Sequence, residues 1–286
     1  MTEVLIVGGL TVDRFVDGSV APGGSVLHSG LTAASDGATL TLLTVAGAEP
    51  AARDGLDRLA SIGVLVHQPA GFTTVYRHED RDGVRVLVLE ARTDPISPEG
   101  LRGIERPHVA LVAPIADEVP ALLVERLVQD VAPPQVVLLI QGWLRRLVIG
   151  DEVHPLPLDA LSADQLEVAA RVDAIVVSTE DLTEAPHDPF SQAAEVRRHV
   201  GPGPIVVVTL GPEGYLLDDP AADRVIASMP RRVVTGVNAV GAGDVFGAAL
   251  ALNLARGADA HAAANVATDR VIAMLEARRR ERALRP

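Results

Sequence analysis

Six short runs of apolar, mostly β-branched residues recur along the 286-residue chain, with few polar residues inside them. A strand with one face in water alternates polar and apolar side chains, so uninterrupted runs indicate strands that are buried on both faces. Helical patterns separate the runs. This alternation predicts an α/β fold, a doubly wound and mostly parallel sheet flanked by helices. The apolar runs span residues 4–7, 40–45, 109–114, 136–140, 174–177 and 205–209, and the helical patterns span 25–35, 51–62, 118–131, 163–170 and 190–199.

One region departs from this rhythm. Residues 73–79 and 84–90 form two strand patterns around Asp80-Arg81-Asp82-Gly83, which predicts a β-hairpin. The hairpin is either a flap over a site or an ordinary edge hairpin. No repeat, low-complexity tract or linker interrupts the chain, and 48% of its residues are hydrophobic, so we expect a single domain over residues 1–286.

Composition excludes several classes of function. The formal net charge of −13 argues against a nucleic-acid partner, because proteins that neutralise phosphates carry basic faces. The basic run at residues 278–282 is interpreted as a helix end, where cations complement the helix dipole. The absence of cysteine excludes disulfides and cysteine-ligated metals and favours a cytoplasmic protein. No apolar run reaches the length of a membrane span, so we expect no membrane association.

All 25 basic residues are arginine, and lysine is absent. A P-loop places a lysine on its phosphates and a Schiff-base enzyme uses a lysine amine, so both classes are excluded. A dinucleotide-binding dehydrogenase is a poor interpretation, because no Gly-x-Gly-x-x-Gly follows the first apolar run. Cationic help for a phosphate must come from arginine, a metal or backbone dipoles.

Residues 237–244, Val-Asn-Ala-Val-Gly-Ala-Gly-Asp, precede an Ala-rich helical pattern over 245–256. Gly241, Ala242 and Gly243 are small enough for backbone N–H groups to surround a phosphoryl oxygen, and the helix adds its positive end. Asp244 would repel a resting phosphate, which favours a role as a base that takes a proton from an attacking hydroxyl. The alternative is that Asp244 caps the helix.

Three segments of the chain resemble the ribokinase-like carbohydrate kinases, also called the PfkB family, and the resemblance extends over nearly the full length. The first is Asn238 to Asp244 followed by Val245-Phe246; the second is Gly23-Gly24-Ser25-Val26-Leu27-His28; the third is Val208-Thr209-Leu210-Gly211-Pro212-Glu213-Gly214. A further segment, Leu139-Ile140-Gln141-Gly142-Trp143-Leu144-Arg145, is similar to one in a subgroup that includes inositol kinases.

The resemblance implies transfer of the γ-phosphoryl group of ATP to a hydroxyl of a sugar, polyol or nucleoside, helped by Mg²⁺. It also implies a small β-lid over the substrate, formed by about residues 14–20 and 72–90. The apolar alternation of Val84, Val86 and Val88 in this hairpin is consistent with a homodimer that pairs through the lid. The implied site has three parts. They are the catalytic residues Asp244, Gly241, Ala242, Gly243 and Arg145; the substrate-binding residues Asp13, Gly23, Gly24 and His28; and the nucleotide-binding residues Thr209, Gly211, Gly214 and Asn265.

The chain departs from the family pattern in supporting positions. Ser178-Thr179-Glu180-Asp181 stands where the family has an Asn-x-x-Glu segment, so Asp181 or Glu180 is expected to hold magnesium through water. His28 replaces an asparagine. Asn238 replaces an acid near a loop that binds monovalent cations in some members, which argues against dependence on potassium. An active kinase is favoured, and the alternatives are a non-catalytic sugar- or nucleotide-binding relative or a nucleoside kinase.

Overall fold

The computed structural model describes residues 1–81, 84–182 and 188–284. The strands are β1 (Glu3–Gly8), β2 (Thr11–Arg14), β3 (Val20–Gly23), β4 (Thr39–Ala46), β5 (Val64–Pro69), β6 (Thr74–Arg81), β7 (Val84–Ala91), β8 (Val109–Ala113), β9 (Val136–Leu139), β10 (Arg145–Arg146), β11 (His154–Pro155), β12 (Ala174–Ser178), β13 (Ile205–Thr209), β14 (Tyr215–Asp219) and β15 (Arg224–Ser228). The α-helices are α1 (Ser25–Ser35), α2 (Pro50–Ile62), α3 (Ala121–Arg126), α4 (Ala163–Ala169), α5 (Pro189–Val200), α6 (Ala242–Ala255) and α7 (Ala260–Leu284).

The main sheet has nine strands in the order β15-β14-β13-β12-β9-β8-β1-β4-β5. All neighbours are parallel except at one edge, where β14 runs antiparallel to both β13 and β15. From β1 the chain builds outward through β4 and β5, and it then continues on the other side of β1 from β8 onward. In such sheets, ligands bind at the carboxyl ends of the strands where the building direction reverses. The α/β fold class predicted from the sequence is confirmed.

Both faces of the main sheet are covered by apolar side chains. Alternate residues of β1 show this: Val4 and Ile6 belong to one apolar cluster, and Leu5 and Val7 belong to the other. Helices α1, α2, α6 and α7 pack on the first face, while α3, α4 and α5 pack on the second. The uninterrupted apolar runs therefore correspond to strands buried on both sides.

Most boundaries agree with the sequence pattern, and three differences have local causes. The pattern over 118–131 is a helix only from Ala121, because Pro120 stands at the N-cap, and the last residues, Leu127–Val131, form a π-helical turn. Helix α6 begins at Ala242, three residues before the expected start. Strands β5, β14 and β15 of the main sheet were not predicted. β5 and β15 are the edge strands, β14 pairs with β15, and no apolar run in the three strands exceeds three residues.

A second, four-stranded sheet has the order β3-β2-β6-β7. Its β2 and β6 are parallel, and the other two pairs are antiparallel. The predicted hairpin is β6 and β7, and its turn residues Asp82 and Gly83 lie outside the described residues. The outer edge of β7 is bonded to residues 150–153, through Gly150 N–H to Leu89 O, Leu89 N–H to Asp151 O and Val153 N–H to Leu87 O. No helix in the described part of the chain is long and apolar enough to cross a bilayer.

Candidate active site

A cleft of about 1000 Å³ lies between the carboxyl ends of the main-sheet strands and the small sheet. Residues that follow β1, β8, β9, β12 and β13 all line it. It brings together most residues singled out in the sequence: Asp13, Gly24, His28, Arg145, Glu180, Asp181, Thr209, Gly211, Gly214, Gly241, Ala242, Gly243 and Asp244. Gly23 and Asn265 are not among its lining residues.

The turn at residues 241–244 forms the start of helix α6. Gly241 is the N-cap and has left-handed backbone, with φ of 79°. A Cβ added at Gly241 would lie 2.6 Å from Cγ of His28, so a side chain has no room there. The first amides of α6 lack partners inside the helix, and that of Ala242 donates to Ala239 O at 3.0 Å. The positive end of the helix lies at the cleft, which favours an anion at this point.

Asp244 is the third residue of α6, so its carboxylate is not the N-cap. The side chain is 4% exposed, and its Oδ1 atom has no hydrogen-bond partner among the described residues. Burial, reinforced by the charges of Asp13 and Glu118 and opposed by that of Arg145, raises the pKa of Asp244 from 3.8 to about 7. A carboxylate with this pKa can take up a proton near neutral pH.

Asp13, at the end of β2, faces the cleft from the small sheet. Its Oδ1 accepts a hydrogen bond of 3.0 Å from Thr11 Oγ1, and its Oδ2 lies 3.6 Å from Nε2 of His78. Gly23 lies behind this carboxylate, because a Cβ at Gly23 would overlap Asp13 Oδ2. Gly24 has φ of 96°, and a Cβ there would overlap the carbonyl oxygen of Gly9. The glycine pair thus allows close backbone packing around Asp13.

His78 was not singled out from the sequence. Its ring is 7% exposed, stacks on Phe15 at 4.8 Å between centroids, and has no hydrogen bond at either nitrogen within the described structure. Thr74, Tyr76 and His78 stand at every second position of β6 and are all buried. This two-residue spacing, which puts them on one face of the strand, was the sequence signal that could have identified His78. Because neither nitrogen of His78 makes a hydrogen bond in the described structure, the ring can bind a ligand hydroxyl beside Asp13.

His28 lies on α1, one turn after Gly24, and its ring faces Gly241. Burial lowers the pKa of His28 from 6.5 to about 4, and the charges of Arg278 and Arg58 add to this effect. The imidazole is therefore neutral at pH 7. Its buried Nε2 has no partner among the described residues, so it can pair with a substrate hydroxyl but gives no positive charge to a phosphate.

Arg145 supplies the positive charge on the opposite wall. Its guanidinium donates to Ile115 O at 3.1 Å and to Gln141 Oε1 at 3.2 Å. Burial alone would lower the pKa of Arg145, but Tyr76, Asp181 and Asp244 act against it and hold the pKa above the usual value. The guanidinium is thus held in place and stays charged, and its charge acts on Asp244.

The loop that supports Arg145 is held by a buried acid that sequence reasoning had placed inside a helix. Glu118 is 1% exposed and accepts hydrogen bonds from the amides of Ile115 and Ala116, at 3.1 and 2.7 Å. The carbonyl of Ile115 in turn receives Tyr76 Oη at 2.9 Å as well as Arg145. Burial raises the pKa of Glu118 and that of Tyr76, the latter to about 12.

Thr209, Gly211 and Gly214 line one end of the cleft, after β13. The hydroxyl of Thr209 makes only a long bond of 3.4 Å to Val177 O, and Gly211 and Gly214 both have positive φ. Asn265 lies elsewhere on α7. Its side-chain oxygen accepts from Tyr215 Oη at 3.0 Å and from Ser228 Oγ at 3.2 Å, so this amide joins α7 to the sheet edge.

Asp181 and Glu180 line the cleft below Arg145. Burial raises the pKa of Asp181 against the opposing charge of Arg145, and Asp181 Oδ2 accepts the Ser178 amide at 3.3 Å. No group of three or more histidine or acidic side chains in the described ranges could hold a metal directly. Two carboxylates in the lining of the cleft fit a magnesium ion that keeps its waters and is bound mainly by a ligand.

Several solved structures share this fold. A pyrophosphate-dependent kinase in the ribokinase family, solved with a pyrophosphate analogue and myo-inositol, has a TM-score of 0.75 and 19% identity, covering 93% of this chain and 92% of the other. Ribokinase from Thermotoga maritima has a TM-score of 0.69 and 15% identity, covering 94% of this chain and 91% of the other. Aminoimidazole riboside kinase from Salmonella enterica has a TM-score of 0.68 and 18% identity, covering 94% of this chain and 92% of the other. These similarities show a shared fold.

No curated protein matches the chain. The sequence does match the model of the pfkB family carbohydrate kinases, and the match covers residues 11–270. The matched region includes the small sheet, the cleft and the whole of α6. The chain therefore belongs to the pfkB family of carbohydrate kinases.

Proposed function

We propose that the protein transfers the γ-phosphoryl group of ATP to a hydroxyl of a sugar or polyol, with Asp244 as the base. The observation that carries this proposal is the buried carboxylate of Asp244 in the first turn of α6, whose Oδ1 has no hydrogen-bond partner among the described residues. The substrate oxygen attacks the γ-phosphorus while the bond to the bridging oxygen breaks. The hydroxyl proton passes to Asp244, and ADP leaves.

The acceptor side of the cleft is suited to a molecule with several hydroxyl groups. Asp13 offers carboxylate oxygens as acceptors. Both nitrogens of His78 and Nε2 of His28 are buried and make no hydrogen bond in the described structure. A polyol can use all three groups through neighbouring hydroxyls. We place the acceptor between β2, β6 and the start of α1, which sets one of its hydroxyls toward Asp244.

The phosphoryl side is provided by Arg145 and by the amides at the start of α6. These groups stabilise negative charge on the transferring phosphate. Asp181 and Glu180 would hold magnesium through its waters, and the ion would neutralise charge on the donor phosphates.

Pyrophosphate is a second candidate donor, and one observation favours it. The amide of Asn265, which was expected to contact adenine, is bonded to Tyr215 and Ser228 instead and does not line the cleft. A donor without a base needs no contact at this position. The structure solved with a pyrophosphate analogue is that of a pyrophosphate-dependent kinase.

The proposal is tested by measuring phosphoryl transfer to a panel of sugars, polyols and nucleosides, with ATP and with pyrophosphate as separate donors. We expect transfer from ATP to at least one sugar or polyol, and a kcat lower by about two to four decades for Asp244→Asn. Asp57→Asn is the matched control, because Asp57 is exposed on α2 and away from the cleft.

The outcomes separate the alternatives. Transfer only from pyrophosphate would replace ATP as the donor but keep Asp244 as the base. Transfer only to nucleosides would make the protein a nucleoside kinase of the same fold. Ligand binding without any product from either donor would favour a non-catalytic relative, and full turnover by Asp244→Asn would exclude this residue as the base.

A further inference from the structure

Two arginines of the long C-terminal helix α7 bind the loop at residues 236–240. This loop leads into residues 241–244 at the start of α6, which we call the anion turn. Nη1 of Arg278 donates to the carbonyl oxygens of Asn238 and Val240, at 2.8 Å each. Nη1 of Arg282, one helical turn later, donates to the carbonyl of Gly236 at 2.7 Å. These contacts join residues that are about forty positions apart in the sequence.

The loop has few other attachments. Asn238 and Ala239 are exposed, and Asn238 Oδ1 is used locally by the amide of Val240 at 2.9 Å. Ala239 O accepts from the amide of Ala242 at 3.0 Å, which joins the loop to the first residue of α6. The path from Arg278 to the anion turn is therefore short, because Val240 directly precedes Gly241.

The two carbonyls on Arg278 point at one positive group. An alkali cation at this place would need the same oxygen atoms as ligands, and a neutral amide at position 238 contributes no negative charge to hold it. The guanidinium is half-buried, and arginine stays charged in proteins even where burial lowers its pKa, as it does here. A covalently attached cation thus already fills the position.

We propose that Arg278 is a positioning residue that sets the geometry of the anion turn at residues 241–244 and makes phosphoryl transfer independent of added monovalent cations. The inference rests on the proposed transfer activity for its kinetic consequence only. The structural consequence, a fixed loop at residues 236–240, can be measured without turnover.

The test compares wild type with Arg278→Met, Arg278→Lys and Arg279→Met. Arg279 is the matched control, because it is the next residue of the same helix and is exposed. Hydrogen–deuterium exchange of the 236–244 peptide reports on the loop, and kcat is measured with potassium chloride and with tetramethylammonium chloride at equal ionic strength.

We expect wild type to give the same kcat in both salts. Arg278→Met should exchange faster in the 236–244 peptide and lose at least tenfold in kcat, with the acceptor KM changed less than threefold. Potassium or guanidinium ions should restore part of this loss. Arg278→Lys should lie between the two, and Arg279→Met should match wild type in exchange, kcat and Tm.

A wild type that needs potassium, or an Arg278→Met variant equal to Arg279→Met in both exchange and kcat, would overturn the proposal. If no cation restores the kcat of Arg278→Met and its Tm is also lowered, Arg278 contributes to stability and does not position the anion turn. Failure of the proposed function gives a different result. If wild type shows no phosphoryl transfer but Arg278→Met still exchanges faster, Arg278 fixes the loop, and only its effect on kcat is removed.

Discussion

At the scale of single residues, the cleft combines a carboxyl group, proposed as the base, that burial makes less acidic with a cation that neighbouring acids keep charged. Asp244 and Arg145 act on each other, since the arginine opposes the rise in the pKa of the carboxyl, and the carboxyl helps to raise the pKa of the arginine. Such pairs of shifted groups are typical of catalytic sites. The same burial implies that ionised Asp244 destabilises the folded protein.

This yields a prediction for Asp244→Asn on stability and pH. The folded pKa of about 7 exceeds the ordinary value of 3.8, so the folded protein holds a proton that the unfolded chain loses between these values. Stability from this group is full below pH 3.8 and is lost as pH rises through 7. At pH 8 we expect Asp244→Asn to raise the free energy of unfolding, by up to about 4 kcal/mol.

Urea unfolding at pH 5 and pH 8 measures this difference. The wild-type kcat/KM should rise with pH and level off above the pKa of the free base. An Asp244→Asn variant that is less stable than wild type at pH 8 would contradict the burial argument, and a wild-type rate that falls through pH 7 would contradict the role of base.

Sequence reasoning singled out Asp244 from the residues around it, and it singled out Asp13 and Gly24 through the family resemblance. His78 and Arg278 escaped it for a physical reason. The ring of His78 approaches Asp13 only after β2 and β6 pair in parallel, and Arg278 meets Val240 only after α7 packs against α6. Contacts between distant segments leave no trace in residue spacing.

At the scale of elements, the start of α6 depends on one left-handed glycine. We predict that Gly241→Ala lowers the free energy of unfolding by roughly 1–2 kcal/mol through backbone strain and lowers kcat at least tenfold, because the new Cβ would meet the ring of His28. Gly257→Ala is the control: Gly257 has φ of 85° with open space around it, so this variant carries the strain alone.

Thermal unfolding and steady-state kinetics of the two variants separate these effects. Both should lose stability from the positive φ, Gly241→Ala should lose more because its Cβ has no room beside His28, and only Gly241→Ala should lose turnover. Equal kcat values in the two variants would show that the close approach of α6 to His28 has no part in transfer.

The central strands and the helices between them were predictable because each carries its own hydrophobic pattern. The antiparallel edge was not. Strand β15 alternates between exposed and partly buried residues and pairs only with β14, so its conformation depends on a neighbour and not on its own sequence. Helix α3 starts late because Pro120 and the buried carboxylate of Glu118 are used in the preceding loop.

At the scale of the whole molecule, the small sheet and the main sheet contribute opposite walls of one cleft. A homodimer through the small sheet stays a prediction. Its basis has changed, since Val88 is 3% exposed within one chain and residues 150–153 already bond to the edge of β7. Light scattering on the full chain measures whether two copies associate.

A cleft with walls from two sheets also predicts how ligands stabilise the protein together. A ligand that binds only the folded state adds about 2.7 kcal/mol at one hundred times its Kd. For a chain of this size that is a rise in Tm of several degrees, at about 2–4 °C per kcal/mol. An acceptor bound by Asp13 and His78 should raise Tm further when a non-hydrolysable donor is present, because the two ligands bridge both walls.

Thermal-shift measurements with the acceptor panel, each compound alone and with the donor analogue, check this expectation. His78→Ala should reduce the shift caused by the acceptor and leave the shift caused by the donor unchanged, since His78 lies on β6, while the donor contacts follow β13 and begin α6. Equal losses of both shifts in His78→Ala would mean that the small sheet acts on the fold as a whole, and the assignment of the acceptor to this wall would then fail.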